Sequence, residues 1–309
     1  MTFHIRVVSA PGATERLVAG LVAEPGVGQV VVLPGSARQP DGDAIQFDVP
    51  ARSANAVLQQ LRALRDDHDS PIAVARVDAV IGEQPDAAAK FGVVQRDVAP
   101  VWDVVEAGIR ANAVYPPSFY ILLAIAGLIG AVGILTNSQI LIVGAMVVGP
   151  EYNAIIGVAL GLERREPPLV VRGSLALTAG FLAAILLCLV FGLVIRWTGH
   201  TPEPYSAGVR PVSDFINNPD LFSVVVAVLA GIVGVVSLTE ARTNALIGVF
   251  ISVTTIPAAA DLGLSIAYTS GTQALGSLAQ LLLNVFVLIG VGAVVMRLQR
   301  IIWRSRAAG

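Results

Sequence analysis

Two patterns of apolar and polar positions divide the chain. Up to residue 80 the period changes repeatedly. Residues 3–9 alternate and are rich in β-branched side chains, which predicts a strand with one buried face. Residues 14–24 take helical spacing, with Thr14 as the expected cap. Strands are predicted at 28–33 and 44–49, and a last strand at 73–80. Between them a helix is predicted at 53–64, with Ala56, Val57, Leu61 and Leu64 at helical spacing. The order β-α-β-β-α-β over residues 1–85 predicts an α+β domain of ferredoxin-like type.

Beyond residue 117 the apolar runs are long and almost free of charge. Six are read as spanning helices: 118–135, 138–162, 169–197, 221–238, 243–269 and 272–296. Each reaches or approaches the roughly 20 residues that cross about 30 Å of hydrocarbon. Residues 118–297 are therefore expected to form an all-α membrane domain. A connector, 86–117, precedes it and a basic tail, 298–309, follows. Residues 101–114 predict an amphipathic helix with Val101, Val105 and Ile109 on one side. That helix either lies on the inner leaflet, with Trp102 at headgroup level, or packs on the N-terminal domain.

Composition sharpens the division. Of 309 residues 55% are hydrophobic and only 14% charged, against about 25% charged in soluble domains. That excludes an ordinary soluble enzyme, a disordered chain and a nucleic-acid binder. Residues 1–114 hold 14 acids and 10 bases, whereas 115–309 hold 8 and 10. Lys90 is the sole lysine, so there is no polybasic lysine tract, and Cys188 is the sole cysteine, so no disulfide forms within one chain. The first 30 residues lack a signal-peptide pattern, which places the N-terminal domain in the cytoplasm. Arg164, Arg165, Arg172, Arg242, Arg297, Arg300, Arg304 and Arg306 then fall inside, and only Arg196 and Arg210 outside. This positive-inside bias puts both termini in the cytoplasm. The outer loop at 198–220 is read as a lid or a connector.

The membrane domain repeats itself. Ala-Gly-Leu-Ile-Gly at 126–130 matches Ala-Gly-Ile-Val-Gly at 230–234, and Ile-Val-Gly at 142–144 matches Leu-Ile-Gly at 246–248. Gly-Ser-Leu-Ala recurs at 173–176 and 276–279, and Pro150 is equated with Pro257 if three residues are inserted. Three spans per copy is an odd number, so the second copy must enter the membrane inverted, an arrangement typical of transporters. A proline in the middle span of each half either breaks the helix or kinks it for packing. Helix breaks are expected at Gly149, Pro150, Thr254, Thr255 and Pro257.

Polar residues within the spans supply the candidate chemistry. Glu151 is the sole charged residue between Pro117 and Leu162 and falls near the centre of its span. An acid there costs about 3 kcal/mol to insert, so it must face protein or water, and it is a candidate to carry a proton or bind a cation. Asn153 lies two residues on, Asp261 occupies the second half, and Gln280 and Asn284 share one helix face at i, i+4. Glu151, Asn153, Asp261, Gln280 and Asn284 are expected to build one midplane site. Structural roles compete, since carboxylates cap broken helices and amides join neighbouring ones. Gly157 with Gly161, and Gly127 with Ala131, permit close helix contact within or between chains. His4, His68 and His200 are scattered, and no nucleotide-binding or nucleophile motif is present. No enzyme activity, metal or cofactor is expected.

The run Ile-Val-Gly-Ala-Met-Val-Val-Gly-Pro at 142–150 resembles the signature of the bacterial uncharacterised hydrophobic-domain family, domain-of-unknown-function family 389. The run Ser-Val-Thr-Thr-Ile-Pro-Ala-Ala-Ala at 252–260 and Leu-Leu-Asn-Val at 282–285 are similar to it too. The family often continues Met-Gly-Pro after its first membrane proline; here Glu151, Tyr152, Asn153 and Ala154 follow. The resemblance, over about residues 105–297, implies a multi-pass protein of the bacterial inner membrane and supplies no substrate or site residues. The residues themselves point to a secondary transporter or channel-like conduit for a small solute or ion, expected to be a homo-oligomer in the lipid bilayer. The competing expectation is a membrane sensor or scaffold whose soluble domain binds a ligand or partner.

Overall fold

The computed structural model describes residues 2–24, 26–64, 72–77, 102–239 and 254–307. The chain divides into two compact units, Met1–Val105 with Trp303–Gly309, and Glu106–Ile302.

The first unit is a small antiparallel sheet with helices. Its elements are β1 (Thr2–Ser9), α1 (Pro11–Ala23), β2 (Gly28–Arg38), β3 (Asp41–Pro50), α2 (Ala51–Leu64) and β4 (Ala73–Val77). The strands lie in the order β2-β3-β1-β4, and all three pairings are antiparallel. Alternation decides the buried face. Phe3, Ile5 and Val7 of β1 stand opposite Val49, Phe47 and Ile45 of β3, and all six are buried. Leu17 and Leu21 of α1, with Ala54, Val57, Leu58 and Leu61 of α2, complete this core.

Local boundaries differ from expectation for physical reasons. The first helix starts at Pro11, not after Thr14, because proline suits the first helical turn, where its missing N–H has no partner to lose. Thr14 is instead buried and donates to Asp43 at 2.7 Å, and the Gly35 N–H donates to the same carboxylate at 2.8 Å. These two donors, the backbone one foremost, hold Asp43 below the usual carboxylate range. They tie the β2–β3 hairpin to α1, which lets β2 run to Arg38 rather than stop at residue 33. Residues 78–80 of the last expected strand, and most of the connector, lie outside the described residues. The amphipathic helix is α3 (Trp102–Asn112). Trp102 is buried instead of standing at a headgroup surface, and Val104 packs against the core of the first unit.

The second unit is helical: α4 (Pro117–Leu135), α5 (Gln139–Val148), α6 (Glu151–Arg164), α7 (Pro167–Trp197), the short α8 (Glu203–Ser206) and α9 (Pro211–Ile216), α10 (Leu221–Thr239), α11 (Thr255–Ala267) and α12 (Gly271–Ala307). Among the described residues four helices are long and apolar enough to cross a bilayer: α4, α7, α10 and the Gly271–Ile302 part of α12. The pair α5–α6, bent by 52°, passes the same test only when taken together, as a broken span or a re-entrant loop would. Of the six expected spans, four are thus single helices here and one is this bent pair. Residues 243–253 of the remaining one lie outside the described residues, and α11 is too short to cross alone. The last helix continues past the expected end at Met296 to Ala307, so the basic segment begins as helix rather than as a separate tail.

Burial separates two kinds of helix. In α6 and α11 nearly every residue from Glu151 to Gly161 and from Thr255 to Ser265 is buried. The longer α7, α10 and α12 expose Leu175, Leu186, Val190, Leu229, Leu275 and Phe286, as lipid-facing helices do. The packing faces are made of small residues. Gly127 lies against Ala184 and Cys188 of α7, Gly157 against the Tyr115 hydroxyl, and Gly161 against Val170. These small-residue faces are therefore used within one chain.

One interval recurs. Helices start at Pro117 and Leu221, at Glu151 and Thr255, and at Pro167 and Gly271, each pair 104 residues apart. The turns follow the same rule. Arg165 and Thr269 both take the left-handed conformation, at φ 56° and 60°. The Glu166 N–H bonds to the Gly161 carbonyl and the Ser270 N–H to the Ser265 carbonyl, both at 2.8 Å. This constant interval corrects the sequence pairing of prolines. The counterpart of Pro150 is Thr254, the residue before α11, and no insertion is needed. Pro257 stands in the first turn of α11, where its missing N–H breaks no bond. Thr254 lies outside helical geometry and the helix begins at Thr255, ahead of the proline.

Candidate functional site

The break between α5 and α6 is two residues long. Gly149 is extended and Pro150 lies outside helical geometry, so the last carbonyls of α5 and the first amides of α6 are left without helical partners. Gly149 is required by close approach: a Cβ there would collide with the Ile256 side chain and with Oε2 of Glu151. Glu151 opens α6, where the helix dipole favours an acid. Its side chain is 6% exposed. Oε1 accepts from the Thr255 hydroxyl at 2.8 Å, and Oε2 is buried with no hydrogen-bond partner among the described residues.

The facing element is the start of α11. Thr254 Oγ1 accepts from Gln280 Nε2 at 3.2 Å and from Asn284 Nδ2 at 3.1 Å, both of α12. Oε1 of Gln280 is a second buried acceptor without a donor among the described residues. The α5–α6 break, the start of α11 and the α12 amides thus form one polar centre: Glu151, Thr254, Thr255, Gln280 and Asn284.

Two expected members stand elsewhere. Asn153 is exposed on α6 and takes no part. Asp261 is fully buried but lies six residues beyond Thr255, about 9 Å along α11. Its carboxylate accepts from Ser213 of α9 and Ser277 of α12, both at 2.6 Å. The 198–220 loop is folded onto this second centre. Tyr205, Ser213, Ile216 and Asn217 are buried, and Arg210 lies over the Tyr205 ring and donates to Gln273 at 2.9 Å. Gly276 leaves room for the Asn217 carbonyl, which a Cβ would block. Ser213 carried no sequence signal, because its role depends on a loop that returns to α11.

A third polar cluster joins α3, α6, α7 and α12. Buried Glu106 accepts from Arg164 and from Arg300, the latter at 3.1 Å. Arg300 also grips Glu163 through two bonds of 2.6 Å. Arg110 pairs with Glu166 and holds its carboxyl below the usual range. Three acids and three arginines compensate one another.

Contacts across the unit come in exchanged pairs at the interval of 104. Gly130 lies against Ile256, and Gly234, its counterpart, against Tyr152, the counterpart of Ile256. Gly263 lies against Cys188, and Gly292 against Ala159. Arg196 donates to the Ala267 carbonyl at 2.8 Å, and Arg300 binds Glu163. Glu151 and Thr255 are themselves 104 apart and bond to each other.

These features define a multi-pass membrane protein with a buried polar centre at a helix break. Residues 146–290 match the model of the family described as Domain of unknown function (DUF389), the family that the membrane motifs resemble. An uncharacterized protein of Methanocaldococcus jannaschii is 23% identical over 176 residues, 57% of this chain and 52% of that protein. The chain therefore spans about half the length of the curated relative it matches. No solved structure matches.

Proposed function

We propose that this protein is a conduit for a small solute or ion, built from two inverted repeats of three spans around the Glu151 centre. The observation that carries this reading is the set of exchanged contacts. When residue i of one half touches j of the other, and their counterparts touch in turn, a two-fold axis relates the halves. A residue that touches its own counterpart lies on that axis, as Glu151 and Thr255 do. Three crossings per half reverse the second copy, so the axis lies in the membrane plane. Broken middle helices meeting at such an axis are the usual place for a transported species. Arg196 and Arg300 then hold opposite ends of the domain as equivalent latches.

Other parts of the reading follow from this one. The membrane is the cytoplasmic membrane of a bacterium, with both termini inside, on the eight-to-two arginine distribution. The strand order β2-β3-β1-β4 supports a ferredoxin-like N-terminal domain, which would regulate the conduit.

The test is flux. Proteoliposomes holding the full chain should admit salts or small neutral solutes faster than empty vesicles. Glu151→Gln should abolish the difference, while Asn153→Ala should preserve it. Unaltered flux in Glu151→Gln removes the carboxylate from the path. No flux at all leaves the sensor or scaffold as the better description.

A further inference from the structure

We propose that the oxygen cluster at the α5–α6 break takes one dehydrated monovalent metal cation of the sodium class. The proposal deepens the conduit reading and rests on its polar centre.

Unmet demand within the cluster is the first ground. Glu151 Oε2 and Gln280 Oε1 are both buried and both lack a donor among the described residues. Their residues are 6% and 4% exposed. Oε2 is aimed at Gly149, the point where the helix is interrupted and backbone carbonyls are freed. Native proteins seldom leave such acceptors unmet.

Charge is the second. Glu151 forms no ion pair among the described residues, and its neighbours Thr254, Thr255, Gln280 and Asn284 are neutral. An isolated carboxylate at this depth demands one compensating positive charge. One charge fits a monovalent ion. Among the described residues there is no group of three His, Cys, Asp or Glu side chains, as a tightly held divalent ion would need.

Donor chemistry is the third. Carboxylate, amide and hydroxyl oxygens are hard ligands suited to an alkali cation, with no imidazole or thiolate to favour a transition metal. Protonation of Glu151 would neutralise the carboxylate. It would still leave Gln280 Oε1, which is not a base, without a partner among the described residues.

Heat denaturation of the purified full chain in detergent tests this, with sodium, lithium, potassium or choline chloride at equal ionic strength. Sodium should raise the apparent Tm over choline by about 5 °C at a hundredfold excess over Kd. Gln280→Leu should weaken the half-saturating sodium concentration at least tenfold, and Glu151→Gln should remove the effect. If Glu151→Gln does not fold, Gln280→Leu decides alone. Equal Tm in sodium and choline overturns the proposal. So does an undiminished sodium effect in either variant, or a Tm that follows pH alike in both salts, which assigns the site to a proton. Flux without cation-specific stabilisation defeats this proposal and leaves the conduit standing. Stabilisation without flux supports the site and defeats the conduit.

Discussion

Gly149 shows how one missing side chain organises the centre. Its backbone torsions are open to any residue, so its need is for space alone. Gly149→Ala would drive a methyl into Ile256 and the Glu151 carboxylate. We expect a loss of about 1–3 kcal/mol of stability, typical of overpacking, together with loss of flux. Chemical denaturation and proteoliposome assays check the two halves of that statement. Glu151 itself was legible in the sequence, because an acid in a long apolar run announces itself. Its partners were only half legible: Gln280 and Asn284 shared a helix face, but nothing in the chain said that this face meets Thr254. Asp261 was grouped with Glu151 by polarity, and the structure separates them because Ser213 and Ser277 already satisfy it.

At the scale of elements, caps and interruptions set where helices end. Asp220 caps α10: its carboxylate accepts from the Ser223 N–H at 2.8 Å and hydroxyl at 2.9 Å. These donors, the backbone one first, hold its pKa below the ordinary carboxylate value. A group whose folded pKa is depressed adds stability above its unfolded pKa and loses it as pH falls through the folded value. Asp220→Ala should therefore lower Tm at neutral pH, and the gap to the parent should close on acidification below the ordinary aspartate range. A gap that persists in acid would mean that the cap does not act through its charge. Thr254, Thr255 and Pro257 were all expected at the break before α11, since proline is the residue that most disrupts a helix. Position within the turn qualifies that rule: Pro257 stands in the first turn, where it loses nothing, and the helix begins at Thr255.

For the whole molecule, the exchanged contacts make the two halves comparable as wholes. One seam sets Gly263 against Cys188; its counterpart sets Ala159 against Gly292. Each holds one glycine, on opposite partners. Gly263→Ala should destabilise by about 1–3 kcal/mol. Adding Cys188→Gly removes the side-chain contact but not the Ile185 carbonyl or the Leu189 amide, so it should restore less than half of the loss, minus about 1 kcal/mol for a glycine within a helix. A double-mutant cycle measures this directly, and strict additivity would refute the equivalence. The two latches differ in strength. Arg300→Ala strands Glu163 and Glu106 in a buried network and should cost about 3–5 kcal/mol. Arg196→Ala removes one bond to a backbone carbonyl at an exposed position and should cost about 1 kcal/mol or less. Comparable losses in unfolding assays would argue against an unequal pair.

By itself the sequence determined the element order of the small domain, the positions of most of the apolar helices and the presence of one acid, Glu151, within a long apolar run. Each of these rests on period, length or an uncharged run, which are properties of neighbours along the chain. Tertiary structure alone decided which polar groups share a centre and which seams the glycines fill. Helix starts recur at 104 residues, so Pro150 stands where Thr254 does and Glu151 where Thr255 does. Chemical likeness therefore misled where position did not. Contacts between distant segments depend on how helices pack, and packing is set by the summed shape of many side chains rather than by any local pattern.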